Sequence, residues 1–351
     1  METLSTQWHR SIAEIKEDSW ILLNNIDPIP FYKWKWLHAL EISNSIIARY
    51  GWQPLYLAIY RKKSLIGIAP LFLKGHSYGE FIFDHQFVEL ANYFKINYYP
   101  KLVGMSPVSP IEGYKFIFAK GEDEGYLTKF MMKAIDKFCI NNQILSCNFL
   151  YVDPKWQLLG EKAECASWFN RNSVWNSEGN KDFSDYLARF NANQRRNIKR
   201  ERKSIKQNGL YISVKHGIDI KTKEMRMMHN FYQQHCQRWG AWGSKYLSEA
   251  FFENLALPGL REHIVLFTAH SKESINPKAM SLCITNKEML WGRYWGSTIE
   301  MNNLHFELCY YSPIEWALDN GIKNFDPGAG GSHKQRRGFI TKPTVSLHRW
   351  Y

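Results

Sequence analysis

An internal repeat of strand and helix patterns constrains the fold more than any other feature of the sequence. In the first half, a helical segment at 31–49 precedes three strand-like runs, PLYLAIY, SLIGIAPLFLK and EFIFD, which polar turns connect. In the second half, helices predicted at 181–208 and 222–239 precede IVLFTAH, KAMSLCIT and MLWGRYWGST in the same meander order. The pattern predicts two diverged copies of one α/β unit.

The length fits this duplication, because 351 residues correspond to two domains of ordinary size. The polar, turn-rich segment at 172–180 predicts a boundary, which gives domains at 1–175 and 176–351. Other expected elements are helices at 85–95, 124–142 and 304–320, and strands in YPKLVG, KFIFA, SCNFLYVD, KNFDPG and TVSLHRW.

The net charge of +12 predicts an anionic partner, such as nucleic acid, a phosphorylated cofactor or an acidic carrier protein. No CxxC pair or zinc spacing occurs among the six cysteines, so we expect reduced core thiols in a cytosolic protein with no metal. The polar N-terminus does not look like a signal peptide, and no apolar run is long enough for a membrane helix. A soluble cytoplasmic protein is therefore predicted.

Residues 325–339, FDPGAGGSHKQRRGF, combine backbone freedom with positive charge near the C-terminus. Glycine lets backbone N–H groups approach a ligand, and clustered Lys and Arg suit phosphate or carboxylate. The stretch therefore predicts either an anion-binding turn or a surface loop followed by a solvated basic helix. The cationic candidates for anion contact here are Lys334, Arg336 and Arg337.

The segment 189–206, RFNANQRRNIKRERKSIK, carries eight basic residues and one acid. Phe190, Ile198 and Ile205 could form one buried stripe of a helix. Two interpretations remain: a solvated surface, or a phosphate-contacting helix with Arg196 and Arg200 among its contacts.

GRYWG at 292–296 and LHFELCYY at 304–311 form another candidate site. Glu307 stands among apolar residues early in a predicted helix. It either complements the helix dipole or is a desolvated carboxylate suited to act as a base. The neighbouring aromatic residues either pack a core or line an acyl pocket, with Tyr294, Trp295 and Tyr310 as candidates.

The first half offers weaker candidates. His76 and Glu80 in KGHSYGEFIFD could line a cleft, although the GxSxG elbow of serine hydrolases is absent. Tyr99 and Lys101 in NYYPKL could line an acceptor pocket, or the stretch is a structural loop.

In order along the chain, HSYGE, YYPKL, a PVSP-like turn, RRNIKRER, GRYWG, LHFELCYY and PGAGGSHKQRRGF resemble the peptidoglycan biosynthesis/recognition proteins. This family is the FemAB-like branch of the GNAT N-acyltransferases, and the resemblance covers most of residues 17–351. It implies two tandem GNAT-like domains, each with a mixed, mostly antiparallel sheet flanked by helices, and it implies transfer of an acyl group to an amine. The chain departs from the usual GNAT pattern in one place: STIEMNN stands where Q/R-x-x-G-x-G/A is expected, which puts ordinary acetyl-CoA use in doubt.

The resemblance gives the candidate residues chemical roles. Amine acylation needs a base, oxyanion donors and a basic surface for the donor's phosphates. We expect Glu307 as the first candidate for the base and His333 as the second, with backbone N–H groups of 290–296 or of the glycine loop as oxyanion donors. Arg293 joins the three cations of the loop as an anion contact.

The leading hypothesis is an N-acyltransferase with acyl-CoA or an acyl-carrier protein as donor. The acceptor is a peptide amine, possibly of Lys or Orn type, or a peptidoglycan precursor; no permanently bound cofactor and no DNA partner are expected. The runner-up is a FemAB-type enzyme that uses aminoacyl-tRNA, although the chain shows no long coiled-coil hairpin. A non-catalytic module that recognises peptides or cell-wall fragments is the third hypothesis.

Overall fold

A computed structural model describes residues 3–23, 29–78, 82, 84–238, 240, 243, 245–328 and 330–351 of the chain, and of Ser332 only the backbone is described. The chain forms two compact units. The first unit comprises Met1–Asn170 together with Pro343–Tyr351, and the second comprises Arg171–Lys342.

The strands are β1 (Leu4–His9), β2 (Trp52–Arg61), β3 (Ser64–Lys74), β4 (Lys101–Gly104), β5 (Ile117–Phe118), β6 (Ser146–Phe149), β7 (Ala166–Asn176), β8 (Leu210–His216), β9 (Ile264–Ser271), β10 (Ala279–Thr285), β11 (Met289–Ser297), β12 (Asn324–Asp326) and β13 (Ile340–Trp350).

The α-helices are α1 (Glu17–Leu23), α2 (Trp34–Ile42), α3 (His85–Tyr93), α4 (Glu124–Asn141), α5 (Pro154–Glu161), α6 (Phe183–Ala188), α7 (Ala192–Gln207), α8 (Thr222–Gln237), α9 (Glu249–Asn254), α10 (Leu304–Phe306) and α11 (Ser312–Asp319). A π-helical turn, Glu307–Tyr311, joins α10 to α11, and Ser332–Arg337 is a short 3₁₀ helix. Within the described ranges, no helix has the length and apolar character that crossing a membrane requires.

The sheet of the first unit has the strand order β1-β2-β3-β4-β6-β13, with β5 beside β3. The pairs are antiparallel except for the parallel pair of β4 and β6. One face of this sheet, with Leu102 and Leu347, packs against the buried side of α4, with Met131 and Ile135. These apolar contacts form the core of the first unit.

The sheet of the second unit has the order β7-β12-β11-β10-β9-β8, and only β11 and β12 run parallel. Helix α7 buries Ile198 and Ile205, which lie seven residues apart and therefore on one face. They join Leu308 of the π turn and Phe267 of β9 in one core. The expected mixed, mostly antiparallel sheets flanked by helices are confirmed.

Several expected boundaries differ from the structure. The segment 172–180 is not a turn-rich linker throughout, because its first residues belong to β7. Residues 343–351, expected in the second domain, cluster with the first unit because Val345 and Leu347 enter its core. The predicted helix 181–208 is divided into α6 and α7, since Asn191 caps α7 by accepting the N–H of Gln194.

The first half also departs from its expected elements. The helix expected at 31–49 is an α-helix only over Trp34–Ile42, between two 3₁₀ turns. Strand β1 was not expected. Of the run EFIFD, positions 80, 81 and 83 lie outside the described residues, Ile82 is in a turn and Asp84 precedes α3.

The six cysteines form no disulfide. Five are buried, and Cys309 is partly buried, as expected for core thiols.

Candidate active site

Two hydrogen bonds fix Gly328 in the glycine loop (residues 328–331) that follows β12. Gly328 donates its N–H to Asp326 Oδ1 at 2.8 Å, and its carbonyl accepts from Lys334 Nζ at 2.6 Å. Gly328, Gly330 and Gly331 all have positive φ, between 71° and 90°. Residues with a Cβ rarely adopt this backbone conformation, so the turn requires its glycines.

A β-bulge brings Arg293 to the start of this loop. The pairing of β10 with β11 shifts register between Leu282 and Cys283, which leaves Arg293 as the extra residue. Its guanidinium donates to Asp326 Oδ2 at 2.8 Å and to the carbonyl of Gly292 at 2.8 Å. Arg293 was predicted to contact an anionic ligand, and the anion that it contacts here is a buried carboxylate of the protein.

Lys334 is also directed inward. It is 2% exposed, and burial lowers the pKa of its ammonium to about 8, with Asp326 opposing the shift and Arg293 adding to it. A lysine in this position supports the loop through the Gly328 carbonyl.

A cavity of about 230 Å³ opens beside the glycine loop within the second unit. Its lining comes from β7, the loop and the residues after it: Arg171, Asn172, Ser173, Gly330, Gly331, Gln335 and Thr341. Arg171 is exposed and has no ion-pair or hydrogen-bond partner among the described residues. A cation, side-chain hydroxyls and amides beside a glycine turn are suited to an anionic or strongly polar ligand.

The three β7 residues of this cavity were not predicted from sequence. Strand alternation in ASWFNRNSVWN could have marked 166–176 as a strand, but the apolar residues there are sparse and the neighbouring turn residues obscure the pattern.

His333 lies at the rim of the same loop. Its Nε2 is 2.8 Å from the hydroxyl of Tyr310, and its ring is so close to Gly331 that a Cβ added there would lie 2.6 Å from His333 Cε1. Burial lowers the pKa of His333, and the charges of Arg337 and Lys334 lower it further. The imidazole is therefore neutral at pH 7 and able to accept a proton.

Aromatic and imidazole rings surround His333. The His305 ring is 6.0 Å from that of His333 and 4.9 Å from that of Trp295, while the Phe306 ring is 5.4 Å from that of His333. Burial, with nearby positive charge, lowers the pKa of His305 to about 4. These rings keep the environment of His333 apolar and disfavour its protonation.

Arg337 joins this cluster to α7. Its guanidinium stacks 3.5 Å from the Phe306 ring, donates to Glu201 Oε2 at 2.8 Å and donates to the carbonyl of His333 at 2.9 Å. Tyr311 donates to the same carboxylate. The Arg337 side chain is buried and positions His333. Arg336, by contrast, is exposed.

Glu307 occupies a different environment from the one expected for a free base. It is 3% exposed and forms an ion pair with Arg202, whose Nη2 is 3.0 Å from Oε1, and it also accepts from Ser312 Oγ at 2.9 Å. Arg202 pairs with Glu315 as well, at 2.6 Å. Burial raises the pKa of Glu307, and Arg202 and Ser312 oppose this rise.

Tyr294 and Trp295, the aromatic candidates on β11, contact different groups of side chains. Tyr294 packs edge-on against Tyr232 and Phe252, so it belongs to an aromatic cluster with α8 and α9. Trp295 contacts His305. The structure thus brings one group of predicted residues together around the loop, namely Arg293, Trp295, Tyr310, His333, Lys334 and Arg337.

Arg196 and Arg200 lie on the exposed side of α7, opposite its buried isoleucines. Arg200 donates to Asn197 on the same helix at 3.1 Å. With Lys199, Lys203 and Lys206 they form an exposed basic stripe, and no salt bridge to these five cations occurs within the described part of the chain.

In the first unit, the His76 ring is 3.3 Å from the carbonyl of Arg49 and stacks at 5.1 Å on Tyr78. Glu80 lies outside the described residues. Lys101 is 2.6 Å from Asp84, to which Tyr99 also donates at 3.0 Å. Tyr99 and Lys101 are thus brought together, as the acceptor-pocket hypothesis requires, but around a carboxylate that was not predicted.

The FemAB-like family model, described as peptidoglycan biosynthesis/recognition, matches residues 11–351. The chain belongs to this family, which confirms the resemblance. No curated protein sequence matches the chain significantly.

Solved structures share the fold over nearly the whole chain. FemX aligns with TM-score 0.54 and 11% identity over 99% of this chain and 97% of its own. The C-terminal domain of a putative lysylphosphatidylglycerol synthetase from Agrobacterium fabrum gives 0.56 and 8% over 96% and 92%. L-PGS from Bacillus licheniformis gives 0.51 and 9% over 89% and 90%. Together with the family, the shared fold supports a peptidoglycan-related transferase as the functional class.

Proposed function

We propose that the protein is an N-acyltransferase that moves an acyl group from a thioester to an amine of a peptidoglycan-precursor peptide, such as a Lys- or ornithine-type side chain. The observation that carries this proposal is the neutral imidazole of His333 beside the glycine loop. A lysine-type amine has a pKa of about 10.4 and must lose a proton before it can attack. A neutral imidazole supplies the base.

His333 first takes one proton from the ammonium group and releases it to solvent. The neutral amine nitrogen then attacks the thioester carbonyl carbon while His333 accepts a second proton from that nitrogen. The carbon–nitrogen bond forms and the carbonyl oxygen becomes an oxyanion. The carbon–sulfur bond then breaks, and the leaving thiolate takes the proton from His333. For this role Nδ1 must be unprotonated, so Nε2–H donates to Tyr310.

Backbone N–H groups near the loop are candidates for stabilising the oxyanion. The pairing of β11 with β12 covers only Met289–Trp291, and β11 continues to Ser297. Beyond Trp291, β11 runs beside the glycine loop: a Cβ added to Gly328 would lie 3.2 Å from the carbonyl oxygen of Gly292. Donors of this kind, fixed before reaction, stabilise tetrahedral intermediates well.

We prefer His333 to Glu307 as the base because the two groups differ in their partners. The Glu307 carboxylate is already paired with Arg202 and Ser312. If Glu307 accepted a proton, its ion pair with Arg202 would be lost and Glu315 would be the remaining acidic partner of Arg202 among the described residues. His333 has no acidic partner within the same residues.

For the donor, we propose that its phosphates bind in the cavity beside the loop through Arg171, with Arg336 as a further contact. Acyl-CoA and an acyl-carrier protein both carry phosphate on the flexible arm that ends in the thioester. We further propose a cytoplasmic location, which the six cysteines without a disulfide support because thiols stay reduced there.

One observation favours a second candidate donor. The basic stripe on α7 is exposed and free of salt bridges within the described residues, which suits a polyanion. Aminoacyl-tRNA is therefore the alternative donor, and its ester would replace the thioester in the same chemistry. A non-catalytic recognition module remains the third hypothesis.

Native mass spectrometry of the full-length protein with coenzyme A, acyl-CoAs of increasing length and charged tRNA tests the donor. Retention of an acyl-CoA, followed by transfer to a Lys-containing precursor peptide, supports the proposal. If the protein retains charged tRNA and no acyl-CoA, aminoacyl-tRNA is the donor and the thioester hypothesis is wrong. Binding of precursor peptide without turnover on any donor, including acyl-carrier protein, favours the module. His333→Gln with retained binding separates chemistry from recognition.

A further inference from the structure

Strand β1 forms one edge of the sheet of the first unit. It stands at the end of the strand order and pairs with β2 along all of Leu4–His9. In an antiparallel pair, every second residue directs its N–H and carbonyl away from the partner strand. On this outer side, the backbone groups of residues 4–8 have no hydrogen-bond partner within the described part of the chain. The edge is therefore able to pair with a further strand.

Strand β1 lacks the common features that keep edge strands from pairing, namely lysine, proline and a bulge. Its sequence is LSTQWH, and its register with β2 is continuous. Leu4 and Trp8 pack against the apolar core of the unit, and Thr6 shares their face because side chains alternate along a strand. A strand added beyond β1 would present every second side chain on this same face.

A groove of about 470 Å³, which we call the β1 groove, lies on this face between Thr6 and Trp8 of β1 and the side of α4. Its volume falls within the roughly 300–1,000 Å³ that ligand pockets occupy. The Trp8 ring is 4.5 Å from the Phe138 ring. Phe130, Ala134 and Phe138 follow one another at intervals of four residues, so they form one ridge of α4 and the apolar wall of the groove. An aromatic side chain of a ligand would pack against this wall.

The rim of the β1 groove is positively charged. Lys133 and Lys137 line it from the neighbouring ridge of α4, and both are exposed. Neither has an ion-pair partner within the described residues, and no carboxylate of those residues lines the groove. Like charges four residues apart on a helix repel each other, and Lys129 adds a third at the same spacing. These charges favour an acidic occupant.

A second copy of this chain does not match that requirement. The chain carries a net charge of +12, and its own edge strand β1 has no acidic residue to place beside the lysines. Charge complementarity therefore favours a different, acidic partner over self-association through β1.

We propose that β1 and the β1 groove bind an extended acidic segment of a partner protein, which adds to the sheet as a further strand. The segment's backbone pairs with the outer edge of β1, and every second side chain faces α4. A segment with the pattern aromatic-x-acidic-x-acidic places its ring beside Trp8 and Phe138 and its carboxylates near Lys133 and Lys137. Binding is measured without an acyl donor or an amine, so this proposal and the proposed transfer reaction can fail independently.

The test is fluorescence anisotropy of the full-length protein with the labelled, capped peptide Thr-Phe-Thr-Glu-Thr-Glu-Thr at low salt. We expect saturable binding that weakens about tenfold when glutamine replaces both glutamates, because two exposed ion pairs are lost. The double variant Lys133→Gln, Lys137→Gln should weaken binding to the same extent. The matched control Lys155→Gln, Lys162→Gln removes two exposed lysines elsewhere in the same unit and should keep the wild-type affinity.

Two N-methylated peptides test the strand pairing itself. Along an extended segment, N–H groups point alternately toward one neighbouring strand and away from it. One peptide carries N-methyl groups on its phenylalanine and glutamates, and the other carries them on its threonines. One of the two should lose binding and the other should keep it. The bound unmethylated peptide should also slow the hydrogen exchange of alternate amides in Leu4–Trp8, measured by NMR.

Absence of saturable binding at about 1 mM peptide overturns the proposal. Equal affinity for the two N-methylated peptides overturns it as well, and so does equal affinity of the two double variants. Sedimentation of the protein alone examines the other occupant: a dimer that Thr6→Lys dissociates would show that a second copy occupies β1, which also overturns the proposal.

Discussion

Replacement of Gly331 by alanine should disable His333 without unfolding the protein. An added Cβ would lie 2.6 Å from His333 Cε1, on a backbone with φ 90° and ψ 102°. The ring must retreat by about 0.8 Å to reach ordinary contact. That movement stretches the 2.8 Å contact between His333 and Tyr310 beyond hydrogen-bond range.

The magnitudes follow from these distances. A side chain forced into a sparsely populated backbone conformation costs about 1–3 kcal/mol, so the free energy of unfolding should fall by that amount. A misplaced catalytic group costs about 100-fold in rate. We therefore expect kcat/KM to fall about 100-fold, far more than the modest loss of stability would produce by unfolding.

Gly321→Ala is the matched control. Gly321 also has positive φ, 68°, but an added Cβ meets nothing within 4 Å. It should lower the free energy of unfolding by about 1 kcal/mol and leave turnover unchanged. The assays are denaturant unfolding, imidazole NMR of His333 and acyl transfer. If Gly331→Ala displaces the His333 signal but turns over like the wild type, His333 is not the base and the reasoning fails.

The other predictions concern four further substitutions. His333→Gln should lower kcat/KM by roughly 10²–10⁴-fold and abolish the acid limb of the pH profile, which in the wild type should begin below the usual imidazole pKa. Arg171→Gln should weaken donor binding by roughly three- to tenfold at low salt, and high salt should reduce the difference; an equal loss at all ionic strengths would contradict a phosphate contact. Glu307→Gln should change the unfolding free energy more than turnover; a collapse of kcat in a stable variant would instead identify it as the base. Lys334 is protonated less readily when folded, with a pKa near 8 against 10.5, so wild-type stability relative to Lys334→Met should rise between these pH values; a flat difference in denaturant unfolding would show that Lys334 keeps an ordinary pKa.

Strand periodicity predicted most of the fold because buried strands such as β9 and β10 are continuous apolar runs bounded by turn residues. It failed where a strand is mostly exposed. In β7 only Val174 and Trp175 are buried, so residues 166–176 lack the apolar signal that marks a strand. The same failure hid Arg171 and its neighbours in the cavity.

Tertiary ion pairs explain why the surroundings of Glu307 and Arg293 differ from those that the sequence predicted. Glu307 among apolar residues has the pattern of a desolvated base, but Arg202 comes from α7, about a hundred residues earlier in the chain. Asp326 of β12 likewise forms an ion pair with Arg293 of the neighbouring strand β11. Such pairings depend on tertiary packing, and local composition carries no information about which acid meets which base.

A cationic side chain in a motif can bind a ligand only when it is not already engaged in hydrogen bonds or ion pairs with groups of the protein. In the loop and its flanking strands, Lys334 holds the Gly328 carbonyl, Arg337 holds Glu201 and the His333 carbonyl, and Arg293 holds Asp326. Their charges shape the glycine turn, and burial together with the charges of Arg337 and Lys334 lowers the pKa of His333. Glycine therefore lies beside positive charge in this segment because these cations fix the turn, and we propose that the exposed Arg171 and Arg336 contact the donor's phosphates.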